Sequence, residues 1–126
     1  MISGSSVWAK SAQPGIQVIG VEPETANDTF LSLQAGHRVE IPIPETIADG
    51  LRATKPGEIT FPIIQKHVDE VILVTDEEID AAQKFLASRM KIVAEPSGAV
   101  TAAAVLFRKL SPKLKRVGVV LSGGNV

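Results

Sequence analysis

A chain of 126 residues, 44% hydrophobic and 21% charged, has the balance of a small globular domain. It is long enough to bury about two thirds of its unfolded surface around one core. A net charge of −1 leaves no basic excess for nucleic acid, and zero cysteines exclude disulfides, thiolate metal sites and a cysteine nucleophile. The longest apolar run, Ala99 to Phe107 broken by Thr101, is too short for a membrane span. Met1-Ile2-Ser3-Gly4-Ser5-Ser6 lacks the charged-then-apolar pattern of a signal peptide, and with the missing cysteines this fits a cytoplasmic protein.

Helices and short strands alternate along the chain. Ser3 to Ala12 is predicted as a helix and Gln17 to Val21 as a strand. Asn27 to Gln34 follows as a helix stopped by Gly36. Ile41-Pro42-Ile43-Pro44 reads as an extended surface connection. Thr60 to Val68 is a helix that tolerates Pro62 in its first turn, and Val71 to Val74 is a strand.

Thr75-Asp76-Glu77-Glu78 has the capping-box pattern, with Thr75 as N-cap and Glu78 three residues on. Ile79, Ala82, Leu86 and Met90 then recur at helical spacing as one buried stripe, with Arg89 and Lys91 in the last turn. Ser97 to Lys109, alanine-rich and apolar nearly all round, is predicted as a buried helix with Ser97 as N-cap. The basic residues Arg108, Lys109, Lys113, Lys115 and Arg116 read as a solvated helix end and loop. Arg116 to Leu121 is the last predicted strand.

Alternation of this kind predicts an α/β fold with a mainly parallel sheet. Three strands make that sheet thin, and the first and last elements need neighbours.

No nucleotide-binding loop is present. G-x-G-x-x-G and G-x-x-x-x-G-K-[ST] are both absent. His37 and His67 stand alone, as surface or structural residues. Four short segments remain. Val21-Glu22-Pro23-Glu24-Thr25-Ala26-Asn27-Asp28 follows a strand and offers carboxylates at Glu22 and Asp28, oxygen donors of the kind hard cations take. Asp28 fits equally as an acid in a first helical turn. Thr46-Ile47-Ala48-Asp49-Gly50 ends on a glycine that suits a plain turn or a backbone lying against a flat ring. Glu95-Pro96-Ser97-Gly98-Ala99 places a carboxylate at a helix start. Ser122-Gly123-Gly124-Asn125 runs off a strand, where paired glycines let the backbone approach something flat or anionic.

Taken in order, Glu-Pro-Glu, Thr-Ile-Ala-Asp-Gly, Glu-Pro-Ser-Gly-Ala and Ser-Gly-Gly-Asn closely resemble the second half of the pyridoxal-phosphate (PLP) enzymes of fold type II. The nearest group is the serine/threonine dehydratase and serine racemase family. Gly57-Glu58-Ile59-Thr60-Phe61, Val68-Asp69 and Arg89-Met90-Lys91 extend the likeness over essentially the whole chain.

The resemblance implies part of a parallel-sheet, three-layer domain of the tryptophan synthase β-like PLP fold. In it Ser122 would face the pyridine nitrogen of PLP. Gly50 would lie near the ring, Glu95 at the ring edge, and Gly123 against the cofactor. The backbone nitrogen of Met1 would stand near the phosphate. Glu22, Ala26 and Asp28 would match the Mg²⁺ or Ca²⁺ site of the racemase-like members. A neutral hydroxyl opposite the ring nitrogen suits β-elimination.

The family's Schiff-base lysine lies in a Ser-x-Lys-x-Arg-Gly-like motif that these residues do not contain, and neither do they contain its four-glycine phosphate loop. Ser111-Pro112-Lys113 is a poor substitute, and Lys91 belongs to a helix end. The chain is therefore expected to be a single domain, residues 1–126, forming the C-terminal portion of the PLP-binding domain, without the small domain. Alone it is expected to be inactive.

In the intact enzyme the lysine would remove the α-proton of a serine or threonine adduct and the β-hydroxyl would leave as water. The product would hydrolyse to a 2-oxo acid and ammonia. A homodimer is the expected assembly. The competing expectation is a non-enzymatic remnant acting as a binding or assembly module, with an adhesive surface where strands are missing.

Overall fold

The computed structural model describes residues 1–126. Its elements in chain order are α1 (Ile2–Ala12), β1 (Ile19–Pro23), α2 (Asp28–Ala35), α3 (Thr60–His67), β2 (Glu70–Val74), α4 (Asp76–Phe85) and α5 (Pro96–Leu106). A 3₁₀ turn (Asp49–Leu51) precedes α3, and a π-turn (Leu86–Met90) follows α4. β1 and β2 pair in parallel, with Ile19 opposite Glu70 and Pro23 opposite Val74.

Helices cover both faces of this ribbon, as a parallel pair requires. On one face Val74 joins Ile79, Ala82 and Leu86 of the α4 region and Ala99, Val100 and Ala103 of α5 in the main core. On the other face Val71 packs with Ile64, Val68, Ile2, Phe30 and Leu33. The alternation of Val71 and Val74 between the two clusters follows from the two-residue period of a strand. Ala99, Ala102, Ala103 and Ala104 of α5 share that core with Ile79, Ala82 and Leu86, so small side chains form much of the α4–α5 contact.

Local chemistry explains the boundaries. The predicted capping box forms: Thr75 Oγ1 accepts the Glu78 N–H at 3.2 Å, and Glu78 Oε2 accepts the Thr75 N–H at 2.9 Å. Gly36 closes α2 with φ 75°, a left-handed conformation that suits glycine. Lys10 at the end of α1 reaches both Asp69 oxygens at 2.8 and 2.6 Å, and Asp69 also accepts the Val18 N–H at 2.7 Å. Burial would raise the Asp69 carboxyl. The Lys10 and Val18 bonds outweigh it and hold it below its ordinary value of 3.8.

Several expectations are corrected. Gln17 to Val21 becomes Ile19–Pro23, because the ladder with β2 sets the register. The predicted strand Arg116 to Leu121 forms no ladder, because no strand lies beside it, and Val117, Val119 and Val120 are exposed. Met90 leaves the buried stripe and is 53% exposed. The π-turn adds a residue to the turn and rotates it outward. Lys91 lies past that turn with φ 58°. The last helix ends at Leu106 rather than Lys109, and Arg108 adopts φ 54°. Ser97 is not the N-cap. Glu95 occupies that position, with Pro96 at the first helical turn.

Candidate cofactor and cation site

The parallel strands run their carboxyl ends, Pro23 and Val74, toward the loops that carry the four sequence segments. In parallel α/β sheets this is the end where ligands bind. The Glu24 N–H donates to the Val74 carbonyl at 2.9 Å, which ties the two exits together.

The N-terminus of α5 gathers three of the segments. Ser97, buried, accepts the Gly50 N–H on Oγ at 2.9 Å, across a sequence separation of 47 residues. The Glu95 N–H donates to the Gly123 carbonyl at 3.1 Å. Thr101, one turn further along, donates through Oγ1 to the Val120 carbonyl at 2.8 Å. Bonds at Val120 and Gly123 bracket Ser122 and leave it exposed.

The glycines of this turn serve the chain's own packing. A Cβ on Gly98 would run into the Gly123 carbonyl and lie 2.9 Å from its nitrogen. A Cβ on Gly123 would strike the Glu95 carboxylate, and one on Gly124 would sit 2.6 Å from the Val93 carbonyl. Backbone lies directly on backbone at Gly98 and Gly124, and that contact explains the glycine at both; at Gly123 the obstacle is the end of the Glu95 side chain.

The loop bearing Gly50 is latched at its other end by α4. Asp76, first residue of that helix, accepts the Thr46 hydroxyl at 2.5 Å and the Ile47 N–H at 3.0 Å. Arg52 donates to the Thr46 carbonyl at 3.2 and 2.8 Å. Sequence reasoning missed Asp76 and the latching role of Ser97. Both look like ordinary helix-start residues, and their partners are 30 and 47 residues away.

Ser97→Ala is expected to free the Gly50 N–H and loosen the loop. Hydrogen exchange at the Gly50 amide should speed up, and stability should fall by about 0.5–1.5 kcal/mol. Unchanged exchange would contradict the latch, and Ser97→Thr should restore protection.

Glu22, Ala26 and Asp28 lie at and just beyond the exit of β1. They line a cavity of about 250 Å³ together with residues that include Gly50, Lys55 and Thr60. Glu22 also caps α2, its carboxylate accepting the Thr29 and Phe30 N–H groups at 3.3 and 2.9 Å. Asp28, the first residue of α2, is 4% exposed. Both the first-turn role and the shared cavity are therefore present. Burial pushes the Glu22 carboxyl above its ordinary value of 4.5; bonds from Thr29 and Phe30 oppose this and the Asp28 charge adds to it. Burial likewise raises Asp28 above 3.8.

Neither carboxylate is salt-bridged to a basic side chain. The donors are hard oxygens, which fits a Mg²⁺- or Ca²⁺-type ion. No cluster of three or more His, Cys, Asp or Glu residues is placed to hold a metal, so a backbone carbonyl would have to complete the set. Met1 caps α1, is 78% exposed, and its carbonyl accepts the Ser5 N–H at 3.2 Å. No helix is long and apolar enough to cross a membrane.

Known proteins resemble this chain in sequence and fold. The chain is 44% identical over 126 residues to an L-threo-3-hydroxyaspartate ammonia-lyase of Saccharomyces cerevisiae, covering 100% of this chain and 39% of that protein. It is 48% identical over 130 residues to a serine racemase of Dictyostelium discoideum, covering 100% of this chain and 40% of the relative. The crystal structure of the T.th. threonine deaminase superposes with a TM-score of 0.93 at 39% identity, over 99% of this chain and 42% of that one. The chain thus spans about two fifths of the length of these relatives. Its α/β architecture is that of the tryptophan synthase β-like PLP enzymes. A family profile described as "Pyridoxal-phosphate dependent enzyme" matches residues 1–123, and the chain belongs to that family.

Proposed function

We propose that this chain forms the C-terminal portion of the PLP-binding domain of a serine/threonine ammonia-lyase or serine racemase-like enzyme. In this reading it supplies the ring-facing side of the cofactor site and works in the cytoplasm, within a homodimer. One observation carries the proposal: the segments bearing Gly50, Glu95 and Ser122 converge on the N-terminus of α5, held by Ser97, the Glu95 N–H and Thr101.

PLP, when bound, supplies an electron sink for the negative charge left at Cα of a hydroxy amino acid. The chain's own residues place and tune it. Ser122, exposed and bracketed by two bonds, would offer a neutral hydroxyl to the ring nitrogen and leave that nitrogen largely without a proton. Gly50 would present backbone to the ring. Its N–H is already given to Ser97, so its contribution there is shape rather than a donor. Glu95 would border the ring and Gly123 would let the turn lie close. Met1, at the opening of α1, would put its nitrogen toward the phosphate.

A chimera tests this directly. The N-terminal three fifths of the Dictyostelium serine racemase, joined to this chain, should bind PLP and release a 2-oxo acid and ammonia from L-serine, L-threonine or L-threo-3-hydroxyaspartate. The 126-residue chain alone should do neither. A folded chimera that binds PLP only weakly, with Ser122→Ala making no difference to the cofactor spectrum, would defeat the proposal.

Glu22, Ala26 and Asp28 would hold a Mg²⁺ or Ca²⁺ ion that braces the fold away from the ring. The sign of the pH effect follows from the raised carboxyls. Their contribution to stability is fully present below the ordinary values of 4.5 and 3.8, and it is lost as pH rises through the raised ones. A bound cation removes that penalty but competes with protons. Millimolar calcium is therefore expected to raise the unfolding temperature by a few degrees near neutral pH and to have almost no effect at about pH 4. Asp28→Asn should abolish the calcium response. A response equal at both pH values would count against this site.

A further inference from the structure

The cavity beside Glu22 and Asp28 contains one basic side chain, Lys55. Its only ion pair is with Glu40 at 3.7 Å, the longest of the five in the chain. Glu40 is 69% exposed and Lys55 40%. Such a pair is held weakly. The two groups are neighbours because their segments run side by side: the Ile41 N–H donates to the Thr54 carbonyl at 2.9 Å, and Arg38 pairs with Glu58 at 2.8 Å. The same cavity is lined by two carboxylates, Glu22 and Asp28, that have no cationic partner. A lysine carries a compact charge on a flexible four-carbon stem, so a few rotamer changes redirect it.

We propose that Lys55 is a built-in rival for the cation site, held aside by Glu40. Turned toward Glu40, it leaves Glu22 and Asp28 free for a divalent ion. Turned inward, its ammonium neutralises part of their charge and occupies the space an ion would take. The balance between these positions sets how much divalent cation the chain needs. This rests on the cation site proposed above, and it adds that an internal residue sets the threshold of that site.

Calcium titrations of the whole chain, followed by calorimetry, separate the possibilities. Lys55→Met removes the rival and should tighten calcium binding by about two- to fivefold, the range of an exposed ion pair. Glu40→Gln frees the rival and should weaken binding by a similar factor. Lys55→Arg should stay near the parent. Opposite shifts from two exposed residues are not what simple loss of structure would produce. Unchanged affinity in Lys55→Met, with Asp28→Asn abolishing binding, would overturn the role of Lys55 and leave the cation site standing. No calcium binding to the parent chain would overturn both.

Discussion

Gly98→Ala is expected to unseat the turn that carries Ser122. The added methyl would fall on the Gly123 carbonyl and its nitrogen, and backbone cannot swing aside as a flexible side chain can. Either α5 shifts or the turn at Gly123 lifts off. Overpacking of this kind costs about 1–3 kcal/mol, more than the ~1 kcal/mol that alanine gains over glycine in a helix. The Glu95 N–H should lose its bond to the Gly123 carbonyl, so its amide should exchange faster. Urea unfolding gives the stability change and amide exchange gives its location. Gly4→Ala is the control. Gly4 lies in α1 with nothing within 4 Å of its would-be Cβ, and there the same substitution should stabilise the chain by about 0.5–1 kcal/mol. Equal effects at the two positions would show that packing against Gly123 is not what requires glycine at 98.

Ile79→Ala is expected to have the largest effect on stability. Ile79 is fully buried in α4 and packs in the main core with Val74, Ala99 and Ala103. Its neighbours include many alanines, too short to close around the space it would leave. Truncations of this type cost about 2–5 kcal/mol, and a poorly collapsing site lies toward the upper end. That is a large part of the total stability of a domain this size, roughly 5–15 kcal/mol. The urea midpoint should fall sharply. Calcium affinity measured on the remaining folded fraction should change little, because the cavity at Glu22 and Asp28 is lined by other residues. A loss below about 1 kcal/mol would mean that the α4–α5 interface repacks freely.

The two substitutions probe different parts of the fold. Ile79 holds layers together, whereas Gly98 sets how close one backbone comes to another. The first could be read from periodicity. The second could not, because its partner is far away in sequence.

Elements with strong stereochemical signals were legible from the residues alone. Thr75 and Glu78 dictated the start of α4, Gly36 the end of α2, and the 3.6-residue spacing of Ile79, Ala82 and Leu86 the buried face. The order of four short segments pointed to the family that the profile match over residues 1–123 shows. Folding settled everything that depends on a partner remote along the chain. Arg116 to Leu121 has strand composition but forms no ladder, since a strand exists only beside another strand. Ser97 has the composition of an N-cap, yet its hydroxyl holds Gly50. Asp76 looks like a helix-start acid and fastens the Thr46 loop. Met90 fits the stripe until the π-turn rotates it to the surface. Propensity and capping act over three or four residues and are written in neighbouring letters. The geometry around the N-terminus of α5 instead depends on hydrogen bonds and backbone contacts spanning some 20 to 50 residues, and only the folded chain brings those groups together.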